Sequence, residues 1–249
     1  MIFGIIGVLL AALVVFVLLP LFLLFLFIQY RGGNEEMYQT AAAVKSGTVT
    51  ELLPWGSSSL GELTREWVGS STYTVSTFGR RDQAAGRVPS GRSPTGWLLA
   101  FTMESSSNGA DGKLLAVSSA HKLELSVKAG TCKAAINGAA LGSFRVGEPA
   151  LLGPDGAQLG TYRPDLTVGQ LTLRGREVAT IDTRTGSDAG RVDPPSFLVT
   201  HLLAERTPED EAWTLVVAVL QLGWLGPRND FPPSPRGGEG RGEGLQAKA

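Results

Sequence analysis

Hydrophobic and polar positions along the chain fall into three textures. The first is Met1 to Ile28 (MIFGIIGVLLAALVVFVLLPLFLLFLFI), which contains no charged side chain. It exceeds the ~18 consecutive apolar residues that mark a transmembrane helix. As a helix it would extend about 42 Å against a hydrocarbon core of about 30 Å, so tilt or a bend at Pro20 is expected. The second texture begins at Thr48, where short runs alternate with period two. In Lys122 to Lys128, Leu123, Leu125 and Val127 alternate with Lys122, Glu124, Ser126 and Lys128, as in a strand with one buried and one wet face. Tyr73 and Val75, and Leu171 and Leu173, repeat the period. Asp111-Gly112, Asn137-Gly138 and Asp155-Gly156 supply turn signals between runs. About twelve such runs between Thr48 and Leu203, with no helix among them, predict an antiparallel β-barrel or sandwich.

The third texture is Thr207 to Leu225 (TPEDEAWTLVVAVLQLGWL). Thr207 is placed to cap a helix with Pro208 at its first position, and Asp210 is placed to complete a capping box. From Ala212 to Leu222 the polar side chains are Thr214 and Gln221, seven apart and so on one narrow stripe. A helix apolar on nearly its whole circumference must be wrapped on most sides. This apolar stretch is far shorter than the ~20 residues a bilayer requires, which predicts a buried core helix over about 208–222. A Val-rich strand is the alternative.

Two regions interrupt the strand pattern. Gly79 to Thr95 (GRRDQAAGRVPSGRSPT) carries Arg80, Arg81, Arg87 and Arg92 against one Asp82, and reads as a long mobile loop. Arg31 to Ser46 mixes glycine, charge and small residues and reads as a linker. Beyond Gly226 the Pro- and Gly-rich tail lacks the apolar content needed to order itself. The predicted organisation is therefore mainly β: a transmembrane anchor over 1–30, a juxtamembrane linker over 31–47, a barrel domain over 48–226 closed around its helix, and a disordered tail over 227–249. A cleaved signal peptide fits the amino terminus less well, because no basic segment precedes the apolar run and no suitable cleavage site follows it. Arg31 and Lys45 after the span favour a cytoplasmic carboxyl side.

Composition narrows the chemistry. In 249 residues, 22 Lys and Arg balance 23 Asp and Glu for a net charge of −1, which gives no general field for nucleic acid. One cysteine, Cys132, excludes an intrachain disulfide and cannot build a metal site alone. His121 and His201 have no ligand partners at metal spacing, so neither a metal nor a cofactor is expected. Ser119-Ala120-His121-Lys122 has the S-x-x-K form without its companion motifs, and Gly56 to Gly61 has the wrong glycine spacing for a nucleophile elbow. Glu209, Asp210 and Glu211 are explained by the first turn of the predicted helix. No catalytic residue is assigned. The arginines Arg80, Arg81, Arg87 and Arg92 remain the candidate lipid-binding set, since guanidinium forks suit phosphate oxygens and each cation near an anionic leaflet is worth about 1 kcal/mol.

Asn137 to Phe144 (NGAALGSF), Leu152 to Tyr162 (LGPDGAQLGTY), Leu171 to Ile181 (LTLRGREVATI) and the helix Glu211 to Leu222 together resemble the tubby carboxyl-terminal-like fold. That fold is shared by tubby proteins, phospholipid scramblases and the LURP-one-related group. The resemblance covers roughly Thr48 to Leu225 and implies a closed twelve-stranded barrel around a hydrophobic helix. The phosphoinositide-binding basic residues of tubby proteins have no counterpart located here, and the apolar segment is amino-terminal where scramblases have a carboxyl-terminal one. A smaller pleckstrin-homology-like barrel is the structural alternative. Leu141-Gly142-Ser143-Phe144 and Leu159-Gly160-Thr161-Tyr162 echo each other, with Gly where a side chain would crowd its neighbour. The functional expectation is a non-catalytic, single-pass membrane module, held in the bilayer through residues 1–28 and engaging anionic headgroups or a membrane protein. A protein-interaction scaffold is the alternative, and a membrane hydrolase is the least favoured reading.

Overall fold

The computed structural model describes residues 18–76, 79–93, 95–106, 111–145, 147–164, 168–183 and 197–222. A helix α1 (Leu19–Ser46) and a 3₁₀ turn (Ser59–Glu62) precede twelve strands. These are β1 (Val68–Ser76), β2 (Gly79–Pro89), β3 (Trp97–Ser106), β4 (Gly112–Val117), β5 (Lys122–Lys128) and β6 (Thr131–Ile136). β7 (Ala139–Arg145), β8 (Ala150–Leu152), β9 (Gln158–Pro164), β10 (Val168–Leu173), β11 (Arg176–Asp182) and β12 (Val199–Leu202) follow, and α2 (Pro208–Gln221) ends the described chain. All twelve strands form one sheet in chain order, each pairing antiparallel with the next. The protein is mainly β.

Local chemistry accounts for the meander. β5 shows the expected strict alternation, with Leu123, Leu125 and Val127 buried and the intervening residues exposed. Asn137 and Gly138 take the left-handed φ values of 51° and 81° between β6 and β7, and Gly156 does so at 82° between β8 and β9. Two further hairpins turn on Ala129-Gly130 (φ 50° and 76°) and Arg174-Gly175 (φ 51° and 77°), pairs whose first residue carries no turn signature. The two echoed glycines are sterically required. A Cβ on Gly142 would lie 2.0 Å from the Leu152 carbonyl oxygen, and one on Gly160 would lie 2.1 Å from that of Thr172.

The core lies between the inner face of the sheet and α2. Leu99, Phe101, Leu123, Leu125, Leu171, Leu173 and Ile181 join α2 residues Trp213, Val216 and Val219 in a single cluster. Every residue of α2 from Ala212 to Leu220 is buried. Its start is the expected capping box: the Asp210 amide donates to Thr207 Oγ1 at 3.1 Å, and the Thr207 amide donates to Asp210 Oδ2 at 2.8 Å. Thr214, inside the apolar stretch, satisfies its hydroxyl on the Asp210 carbonyl at 2.7 Å.

Four expectations are corrected. The sheet does not close into a barrel. Its last strand, β12, has four residues, and the chain leading into β1 occupies the seam, with single bridges from Leu63 to Ser90 and from Thr64 to Phe197. Closure requires a continuous ladder between first and last strands, which two bridges do not make. The transmembrane helix is also not found: among the described residues no helix is long and apolar enough to cross a membrane. α1 is uncharged only over its first part, and Glu35, Glu36 and Lys45 lie in the rest. Residues 1–17 of the expected anchor lie outside the described residues. The expected linker is helical to Ser46 because Met37 and Val44, seven residues apart on one helix face, are buried. Val44 packs with Ala100 and Val117 on the outer face of the sheet, and Gly47 ends the helix at φ 72°. Finally, Gly79 to Pro89 is not a mobile loop but the longest strand, β2. Asp82, Ala84, Gly86 and Val88 form its buried parity, and residues that small give too little apolar signal for the period to show in sequence. The expected tail, 227–249, lies outside the described residues.

Candidate functional site

The outer face of β3 to β7 carries a groove of about 850 Å³. Its floor is made of small residues, Ala134, Ala135, Ala140, Gly142 and Ser143. A register shift between Ala134 and Ala135 marks a bulge in the β6–β7 ladder, a feature that bends a sheet locally. Lys45 of α1 lines the groove from one side and Gly153-Pro154 of the β8–β9 turn from the other. Strand register then decides which side chains meet there. Glu104 is opposite Lys113, Lys113 is opposite Ser126, Ser126 is opposite Lys133, and Lys133 is opposite Ser143. Residues directly opposite on neighbouring strands share a face, so this is one row across five strands. A parallel row runs Thr102, Leu115, Glu124, Ala135 and, beyond the bulge, Ala140.

The electrostatics of the row are set by who pairs with whom. Lys45 Nζ takes the Glu104 carboxylate at 3.0 Å, and Lys122 Nζ takes Glu124 at 2.9 Å. Both glutamates of the groove are thereby neutralised by lysines outside the row. Lys113 and Lys133 have no ion-pair partner among the described residues and stand on either side of Ser126. Adjacent strands are roughly 4.8 Å apart, so their backbones are about 10 Å apart. An anion over the Ser126 hydroxyl would have an ammonium group on each side and Ser143 beyond, a charge-assisted arrangement.

The structure disperses the four arginines expected to bind lipid. Arg80 pairs by its backbone with Val75 near the β1–β2 turn, and Arg81 is exposed one position on. Arg87 lies six residues along β2, roughly 20 Å away at 3.3 Å per residue. Its guanidinium is 3.5 Å from Glu51 and 5.9 Å from the centre of the Trp97 ring, so it is already engaged locally. Arg92 lies beyond the end of β2, 3.8 Å from Glu62. The groove residues Lys113, Ser126, Lys133 and Ser143 were missed because each reads as an ordinary outward residue of its own strand. Only the register lines them up.

The other candidate residues of the sequence lie outside the groove. Ser119 Oγ donates to the Leu53 carbonyl at 2.9 Å and accepts from the Trp55 amide at 2.7 Å. The His121 ring stands edge-on to Trp55 at 5.3 Å, and burial lowers its pKa below the usual imidazole value against a smaller opposing pull from Glu211. His201 is on β12. Cys132 is buried on the inner face of β6, where desolvation pushes its thiol up to about 12. Among the described residues no three His, Cys, Asp or Glu side chains come together to hold a metal ion. Compared with protein-family models, curated proteins and solved structures, the chain matches none.

Proposed function

We propose that this protein is a non-catalytic module that binds anionic lipid headgroups at a membrane surface through the outer groove of β3 to β7. The observation that carries the reading is the pair Lys113 and Lys133, on either side of Ser126 and without carboxylate partners among the described residues. A shallow, exposed groove with two ammonium groups and two hydroxyls suits a phosphate or carboxylate presented on a surface. Ser119, which lies outside the groove, is held between two backbone groups. The relevant surface is the cytoplasmic leaflet, where anionic lipid is concentrated. Kinship with the tubby-like, scramblase and LURP-one-related proteins is part of the same proposal, supported by the number of strands and the buried terminal helix. The open seam is its departure.

The test is flotation of the full chain on phosphatidylcholine vesicles with and without phosphatidylserine. Reading the difference between the two cancels any purely apolar attachment. Each lysine near an anionic surface is worth about fivefold in binding, so K113A/K133A should reduce the phosphatidylserine-dependent part about 25-fold. Equal recovery of the native chain on both vesicles would overturn the reading.

A further inference from the structure

Glu104 has two lysines to choose between. Lys113 is directly across the β3–β4 ladder, the geometry in which opposite charges pair best on a sheet. Lys45 arrives from α1, and the carboxylate is with Lys45, at 3.0 Å. Lys45 is the last basic residue of α1, one position after Val44, whose fully buried side chain fixes the helix end against Ala100 and Val117. The apolar docking of α1 thus delivers the ammonium that occupies Glu104. With Lys45 gone, the nearest cation across the ladder from Glu104 is Lys113, one of the two groups the anion requires.

We infer that Lys45 is a positioning residue for the anion site: by engaging Glu104 it keeps Lys113 available, so docking of α1 and occupancy of the groove favour each other. This rests on the headgroup-binding reading and adds regulation to it. Linkage makes the effect reciprocal. Anything that draws α1 off the outer face of the sheet weakens the site, and an anion in the groove holds the helix down. The exposed apolar side chains Leu18, Leu19, Leu21 and Phe22 at the far end of the helix give an apolar surface something to pull on.

The experiment is a double-mutant cycle on the full chain, reading the phosphatidylserine-dependent part of vesicle binding. Lys45 also lines the groove, so K45A removes one direct cation as well as the restraint on Glu104. In the native background K45A should cost about 25-fold, one factor of about five for its own charge and one for Lys113. With Glu104→Gln already present there is no carboxylate to capture Lys113, and K45A should then cost about fivefold. K45R should retain binding. Equal losses from K45A in both backgrounds would overturn the coupling while leaving the headgroup reading intact. Absence of phosphatidylserine-dependent binding by the native chain overturns both. Lys45 and Lys113 are exposed and Glu104 is half-buried, and unchanged thermal unfolding of each variant confirms that folding is not what is measured.

Discussion

Strands β4 to β6 do opposite work on their two faces. Inward, Leu114, Leu123, Leu125, Val127, Cys132 and Ala134 are buried in the core that contains α2. Outward, one residue away in each case, Lys113, Glu124, Ser126 and Lys133 line the open groove. Cys132 and Lys133 are sequence neighbours, yet one is a desolvated thiol pushed up to about 12 and the other an exposed ammonium. A pleated strand keeps such tasks independent, because alternate side chains never share an environment. The inner face thus carries the core, and the outer face carries the proposed headgroup site.

Substitutions can break that division, and the largest effect is expected deepest inside. Val216 of α2 is fully buried. Val216→Asp would place an unpaired charge in the core and should abolish cooperative unfolding, at a cost of more than ~4 kcal/mol. Loss of the near-ultraviolet circular dichroism signal of Trp213 is the readout. Gly142 joins the two faces, lining the groove while a Cβ there would lie 3.0 Å from Trp213 Cζ2. Its φ of 148° and the Leu152 oxygen at 2.0 Å make Gly142→Ala destabilising by ~2–3 kcal/mol in urea unfolding. If G142A were neutral, the crowding inferred for both echoed glycines would be wrong.

Thr207→Ala removes half of the capping box and should cost about 1 kcal/mol, with no effect on vesicle binding. The smallest stability effect sharpens the comparison most. K113A/K133A should change unfolding by less than about 0.5 kcal/mol while losing headgroup binding. A double variant that unfolds early would show that the outer row is structural.

Legibility in the sequence followed locality. The capped helix at Thr207, the alternation of Lys122 to Lys128 and the Asn137-Gly138 turn are all set by residues within a few positions of each other. β2 was illegible because Ala84, Gly86 and Asp82 form its buried side without an apolar signature. The helical stretch before Gly47 was illegible because Met37 and Val44, its deeply buried side chains among the described residues, need the sheet to reveal their role. The arginines of β2 looked like a cluster because they are close in sequence, and an extended strand separates what sequence places together.

By itself, then, the sequence determined that the protein is a meander of antiparallel strands followed by a buried, capped helix, since period, turn chemistry and capping act over a few residues. Tertiary structure alone decided that the sheet stays open at the Leu63-Thr64 seam, that α1 packs outside it, and that Lys113 and Lys133 face one groove. Those outcomes depend on strand register and on packing, and both are settled between segments far apart in the chain.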